Sequence, residues 1–391
     1  MNIEAKFLLD LSVVLIGSVI GGAIFRKFKL PTAVGMIIAG ILLNPFTPGY
    51  VVSVEDIKLF SQLGAILLMF VLGLQFDYRK FEHLGSRPFI LAGVGCLAAY
   101  VVGFIAAEML GWGFFASLLL GAMFVSTSTT MGIKIQEELS LARGKTADIV
   151  KTSNIIDDLY GFLALSIIAY RTSSNTVSIP EFLFGSGTVV AAILIIFYIG
   201  IKFAPKLFDT AEHLFPGAAL SIGTAFCLLL SSVVINLQLS PVIGAFLAGT
   251  ILTSTLEYRD ILKSIRPVRN LFGGVFFLSI GLQINPQILL DLLPISLFLT
   301  VLAIGSKAIA SASYLIKLGT EANKAFQFGL LTGPRGEVIL IISQTAVLSG
   351  LVSFHFIAIA TAIVFFSNIL SPILVLLVRS GGSFTKRVKI G

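Results

Sequence analysis

Apolar runs of roughly 18–25 residues, parted by short polar breaks, recur along nearly the whole chain, and that is the length an α-helix needs to cross about 30 Å of hydrocarbon. About thirteen spans emerge from this pattern, at residues 7–25, 32–49, 57–76, 89–110, 114–136, 148–170, 181–203, 216–236, 239–257, 268–285, 293–317, 324–350 and 354–379. The fold class that follows is an all-α polytopic membrane protein. Two spans break the pattern from within. Ser126, Thr127, Ser128, Thr129 and Thr130 interrupt the fifth, and Thr332, Gly333, Pro334, Arg335 and Gly336 interrupt the twelfth. Proline removes a backbone donor, glycine weakens a helix, and a run of hydroxyls competes for backbone bonds.

Spans five and twelve lie seven apart, so they cross the bilayer in opposite directions. Matched interruptions of that kind mark inverted repeats, here spans 2–6 and 9–13, with a substrate site near the membrane midplane. Unwound backbone survives at that depth only where protein or a water-filled cavity surrounds it, so the breaks predict a cavity.

With 56% hydrophobic and only 12% charged residues, the composition excludes an ordinary soluble domain. The first span has acidic flanks and lacks a small-residue cleavage pattern, so no cleavable signal peptide is expected. The net charge of +7 changes the picture only through its distribution. Basic residues gather in alternate loops: Arg26, Lys27 and Lys29; Arg79, Lys80 and Arg87; Lys134, Arg143, Lys145 and Lys151; Lys202 and Lys206; Arg259, Lys263, Arg266 and Arg269; Lys317 and Lys324; and the C-terminal Arg379, Lys386, Arg387 and Lys389. The loops between hold Lys6, Lys58 and Arg171. The positive-inside rule then puts the N-terminus outside and the C-terminus in the cytoplasm, and no nucleic-acid partner is needed to explain the charge. Cys96 and Cys227 lie in separate apolar runs, and His83, His213 and His355 are far apart, so neither set has the spacing of a disulfide framework or a metal site.

Ionisable residues inside the spans carry the chemistry. Asp157 and Asp158 sit together in NIIDDLYGFLALSIIAY. A bare carboxylate in hydrocarbon costs several kcal/mol or more, so such a group takes up a proton or holds a cation. As successive helix residues the two diverge by about 100° and cannot share one small target. Asn154, three and four residues earlier, offers another oxygen on the same broad face. Lys307 lies too deep in its span to reach water and requires an anionic partner. Arg335 and Glu337 flank the second break, where they can neutralise each other or tie the crossing to a neighbour, and a structural ion pair is the expectation. Glu108, near the end of its span, reads as interfacial.

The motifs STSTTMGI, NIIDDLYG, FFLSIGLQI, a mid-helix GSK and TGPRGEV, in this order, resemble the monovalent cation:proton antiporters, specifically the two-aspartate bacterial and archaeal Na+/H+ exchanger branch of the second cation:proton antiporter family. The similarity covers essentially the whole chain. It implies scaffold and dimer helices in 1–88 and 215–286, core helices in 89–170 and 287–391 with a short cytoplasmic tail, a linker helix in 171–214, two crossing broken helices and a homodimer. By the same resemblance Asp158 is the ion-binding and proton-carrying acid, and Asp157 pairs with Lys307. Thr127, Ser128 and Thr129 form the unwound segment beside the ion, so that Asp157, Asp158 and Thr127 would contact Na+. No cofactor is implied, only transported Na+ and H+. Two aspartates are associated with electrogenic exchange, two protons for each Na+, and hence a role in pH homeostasis at the cell's inner (plasma) membrane.

Several alternatives share some features. A K+/H+ antiporter of the same superfamily is one; a glutathione-gated potassium efflux protein would usually carry Gln before the essential Asp and a large nucleotide-binding domain, whereas this chain stops about a dozen residues after its last span. An intramembrane aspartyl protease, the one enzymatic alternative, needs its two acids on separate helices. A sodium-coupled organic-anion symporter does not require the Asp-Asp and Lys set.

Overall fold

The structure is a computed structural model and describes residues 3–28, 30–44, 46, 52, 54–76, 84–138, 141, 144–170, 179–215, 217–237 and 240–388. His83 and the loop cations Lys29, Arg79, Lys80, Arg143, Arg171 and Lys389 lie outside them. Fifteen helices account for the described secondary structure: α1 (Ile3–Lys27), α2 (Thr32–Leu42), α3 (Val54–Gln75), α4 (Arg87–Met109), α5 (Phe114–Val125), α6 (Thr129–Glu138), α7 (Lys145–Tyr170), α8 (Ile179–Leu214), α9 (Ala219–Asn236), α10 (Pro241–Leu252), α11 (Tyr258–Leu282), α12 (Pro286–Lys317), α13 (Ala322–Leu330), α14 (Glu337–Leu348) and α15 (His355–Val388). Seven are long and apolar enough to cross a membrane by themselves. The fifth expected span is the pair α5 and α6, and the twelfth is α13 and α14, so each expected span has its element.

Among the boundaries that differ from the hydropathy reading, four are instructive. α2 stops at Leu42 because Asn44 precedes Pro45, which disfavours helical backbone, and turns its amide onto the Ile284 carbonyl oxygen at 2.6 Å. α10 stops at Leu252, where the Thr253, Ser254 and Thr255 hydroxyls donate back to the carbonyls of Thr250, Ile251 and Leu252. α11 starts ten residues early, since Arg259, Lys263 and Arg266 are exposed while Ile261 and Ile265 are buried on the other face. A hydropathy window averages those two faces together and misses the helix. α8 likewise runs on through Lys202, Pro205 and Lys206.

Two compact units emerge from the helix contacts. One comprises residues 1–27, 35–82 and 166–285; the other comprises 28–34, 83–165 and 286–391. In the first, α3 packs on α10 and α11 around a core that includes Val14, Ile57, Val275 and Leu278. Glycines set the spacing there. A Cβ on Gly73 would run into the Phe246 carbonyl, one on Gly249 into the Phe70 carbonyl, and one on Gly64 into the Phe272 carbonyl. Lipid is as apolar as leucine, so membrane helices associate through close backbone approach at small residues. The short helices α2 and α10 share an order of small residues, Gly35, Ala39, Gly40 and Gly244, Ala248, Gly249. They are the second and ninth spans, so this is an echo of the internal repeat that hydropathy alone does not register.

The second unit packs α4 on α5 and α12, and α12 on α13 and α15. Its core includes Leu91, Val150, Ile304, Ala308 and Leu331. All the ionisable residues singled out within the spans, apart from the exposed Glu108, are buried or half-buried in this unit.

Because Gly249 meets backbone rather than a movable side chain, Gly249→Leu is expected to cost about 1–3 kcal/mol and to lower the midpoint of thermal unfolding in detergent. An unchanged midpoint would mean that α3 and α10 do not pack this closely.

Candidate functional site

Both breaks are stretches where the α-helical bonding pattern lapses. α5 ends at Val125, and Ser126 turns extended with φ −63° and ψ 143° before α6 begins at Thr129. α13 ends at Leu330, and Gly336 is extended where α14 begins. The two breaks meet: the Ser128 amide donates to the Pro334 carbonyl at 2.7 Å, and the Thr127 hydroxyl lies 3.3 Å from the Thr332 carbonyl oxygen. Gly336 permits this, since a Cβ there would stand 3.2 Å from Ser128 Cα.

An interrupted helix leaves carbonyls unpaired at its C-terminal end, where the dipole is negative. A cation closes each of the two ends. The Lys307 ammonium, reaching in from α12, donates to the Val125 carbonyl at the end of α5. The Arg335 guanidinium donates to the Thr332 carbonyl beyond α13 at 3.0 Å and to the Ala303 carbonyl on α12 at 2.7 Å. The helix α15 completes the second break: Ser367 accepts from the Arg335 amide at 3.0 Å, and the Asn368 amide donates to the Arg335 carbonyl at 2.7 Å. The expected Arg335–Glu337 ion pair is not formed, and that reading is corrected. Arg335 is fully buried with its charge spent on carbonyl oxygens, whereas Glu337 is half-buried in the first turn of α14, where the positive helix end favours an acid.

The two aspartates have different surroundings. Asp157 Oδ2 is 2.8 Å from Lys307 Nζ, with both side chains 1% exposed. The same oxygen accepts from the Thr127 hydroxyl at 2.8 Å, and Oδ1 accepts from the Cys96 thiol at 3.1 Å. Lys307 also donates to Thr127 Oγ1 at 2.7 Å. Three donors on one carboxylate are what a buried ion pair requires if its desolvation is to be offset. Gly95 gives the lysine its room, for a Cβ there would lie 3.0 Å from Ser311 Oγ and 3.4 Å from Lys307 Cγ. Asp158 is 3% exposed and accepts from the Ser126 hydroxyl at 2.9 Å, the one donor on it among the described residues.

Of the remaining sequence candidates, the Ser128 hydroxyl lies 3.4 Å from the Met131 amide in the first turn of α6, so it caps that helix. Among the described residues the Thr129 hydroxyl and Asn154 Oδ1 are buried without a partner, while Asn154 Nδ2 lies 3.4 Å from the Leu331 carbonyl oxygen. Sequence reasoning missed three contributors. Ser126 belonged to the hydroxyl run but was not assigned to Asp158. Cys96 reads from the sequence only as a cysteine in an apolar run. Asn368, an amide in an apolar span, was the available signal for the clamp on the second break. A pocket of about 700 Å³ in this unit is lined by Trp112, Phe115, Asp291, His355 and Phe356, away from Asp157 and Asp158.

Acids and cations held at the meeting point of two broken membrane helices define a secondary transporter. The profile of the sodium/hydrogen exchanger transmembrane family matches residues 13–376, and the chain belongs to that family, a multi-pass membrane cation:proton antiporter rather than an enzyme. It is similar to a Na+/H+ antiporter of Enterococcus hirae, with 27% identity over 98% of this chain and 99% of that one. It is also similar to the Na+/H+-K+ antiporter GerN of Bacillus cereus, with 24% identity over 94% and 95% of the two chains. The solved structure of the sodium proton antiporter MjNhaP1 from Methanocaldococcus jannaschii at pH 8 has the same fold, at TM-score 0.71 and 18% identity over 94% of this chain and 96% of that one.

Removing one member of the Asp157–Lys307 pair strands the other in low dielectric. Asp157→Asn and Lys307→Gln are each expected to cost about 3 kcal/mol, and the double replacement less than the sum of the two. Thermal unfolding of the four proteins in detergent measures this; strictly additive losses would show that the pair does not couple.

Proposed function

We propose that the chain exchanges Na+ for protons electrogenically, with Asp158 as the acid that carries either ion. The observation that supports this most directly is the contrast between the neighbouring carboxylates. Among the described residues Asp157 meets Lys307, Thr127 and Cys96, whereas Asp158 meets Ser126 and retains capacity for an incoming ion. A desolvated carboxylate binds a proton or a hard cation, and loading one expels the other. That competition couples the two fluxes once the site alternates between membrane faces.

The second proton comes from Lys307. In the proton-loaded state Asp158 is neutral and Lys307 pairs with Asp157. Arrival of Na+ at Asp158, Asp157 and the Thr127 hydroxyl displaces the Asp158 proton and draws Asp157 away from Lys307, whose ammonium then releases its own. Two protons exchanged for one Na+ move one net charge, worth about 2.3 kcal/mol per 100 mV. Ser128, in the unwound segment, and Thr129, the first residue of α6, lie beside the ion, and Asn154 supplies an oxygen one turn away. The reading extends to a homodimer assembled through helices within 1–88 and 215–286, in the plasma membrane, with the N-terminus outside and the C-terminus in the cytoplasm. A K+-transporting variant is the second reading, favoured by the name of the B. cereus relative.

In proteoliposomes, Asp158→Asn is expected to abolish cation-driven proton flux while the protein remains folded; normal exchange by that variant would sink the assignment. Wild-type flux is expected to follow an imposed potassium-free diffusion potential and to respond to Na+ before K+. Lowering the pH should raise the Na+ concentration needed for half-maximal flux, because protons compete for the same carboxylate. A flux indifferent to voltage would exclude the two-proton cycle.

A further inference from the structure

Gln136 is fully buried near the end of α6, and among the described residues neither atom of its amide has a hydrogen-bond partner. Leaving a buried polar group unpaired costs about 1–3 kcal/mol, and native interiors pair most of them. Gln136 is not alone. Thr129, Gly132 and Gln136 follow one another at helical spacings of three and four residues and so form one stripe along α6. The Thr129 hydroxyl and the Asn154 side-chain oxygen are buried and unpartnered too. Asn154 lies against the middle of this stripe, for a Cβ on Gly132 would stand 2.8 Å from Asn154 Nδ2. One turn further along α7 is Asp158. Unpartnered oxygens therefore run from the neighbourhood of Asp158 down a stripe that covers about 10 Å of α6.

We propose that Thr129, Asn154 and Gln136 form a neutral transit site for a hydrated alkali cation, set between Asp158 and the C-terminal end of α6. This rests on the ion-exchange reading of Asp158. The chemistry suits such a guest. A hydroxyl and two amide oxygens are hard neutral ligands that hold an alkali cation without trapping it as a carboxylate would. The free Gln136 Nε2 donor has no use for a cation but suits the oxygen of a water travelling with it. The negative end of the α6 dipole and the exposed Glu137 beside Gln136 draw cations to this end of the stripe. Lys134, two residues from Gln136, points about 160° away from it around the helix and does not oppose the passage. Gln136 is then a rate-determining residue for ion passage, separate from the site that exchanges the ions.

The test is Na+-driven proton flux in proteoliposomes for Gln136→Leu and Gln136→Ser, beside wild type and Asp158→Asn. Leucine matches the volume and removes the polar atoms, so maximal flux is expected to fall about tenfold, the weight of one polar interaction on a barrier, while thermal stability holds or rises. Serine admits water and is expected to keep flux within about twofold of wild type. Wild-type flux in a folded Gln136→Leu protein would overturn the transit site; if Asp158→Asn is meanwhile inactive, the ion-exchange reading stands. Should the leucine variant fail to fold, Gln136→Cys treated with methanethiosulfonate ethylammonium decides, with wild type as the blank for the buried Cys96 and Cys227. Modification slowed by Na+ supports the proposal, and no modification, or modification indifferent to Na+, overturns it.

Discussion

The buried contact between Lys307 and Asp157, at 2.8 Å with both groups 1% exposed, is the interaction on which the site depends. Each charge alone would cost several kcal/mol at this depth, so neither residue is tolerable without the other. The lysine also donates to the Val125 carbonyl, the last of α5. The same ammonium therefore neutralises an acid and closes the open end of an interrupted helix. Arg335 performs the second of these tasks for α13, through the Thr332 carbonyl. Backbone that leaves the helix at membrane depth must find partners inside the protein, and here two cations and the polar side chains Ser367 and Asn368 supply them.

That arrangement gives two adjacent carboxylates different work. Successive helix residues point about 100° apart, so Asp157 and Asp158 address different neighbours. Three donors fall on the first and one on the second. A carboxylate that already holds an ammonium and two further donors must give one up to accept another partner, whereas one with a single hydroxyl beside it has capacity to spare. Two chemically identical groups are thus unequally solvated by the protein.

The glycine contacts of the other unit answer a different constraint. With no water to expel between helices in lipid, close packing supplies the association, and Gly64, Gly73 and Gly249 bring α3 against α10 and α11 until backbone meets backbone. The shared small-residue order of α2 and α10 places the same device at the same step of both repeats.

Much was legible from the chain alone: the number of spans, the two interruptions, their seven-span separation, the buried acid pair and the lysine that must have a partner. Each follows from the cost of polar groups in hydrocarbon, which acts residue by residue and so leaves its mark in linear order. Geometry between distant segments leaves no such mark. That Ser126 rather than its hydroxyl neighbours serves Asp158, that Cys96 donates to Asp157, and that Arg335 turns to carbonyls instead of Glu337 depend on where α5 and α13 end and on which faces α4, α12 and α15 present. Hydropathy likewise missed the start of α11, because buried Ile261 and Ile265 alternate with exposed cations within one average. The sequence determined which groups must be neutralised within the membrane; only the tertiary structure decided by what, because a hydrogen bond is settled within a few tenths of an ångström and hydrophobic pattern is not.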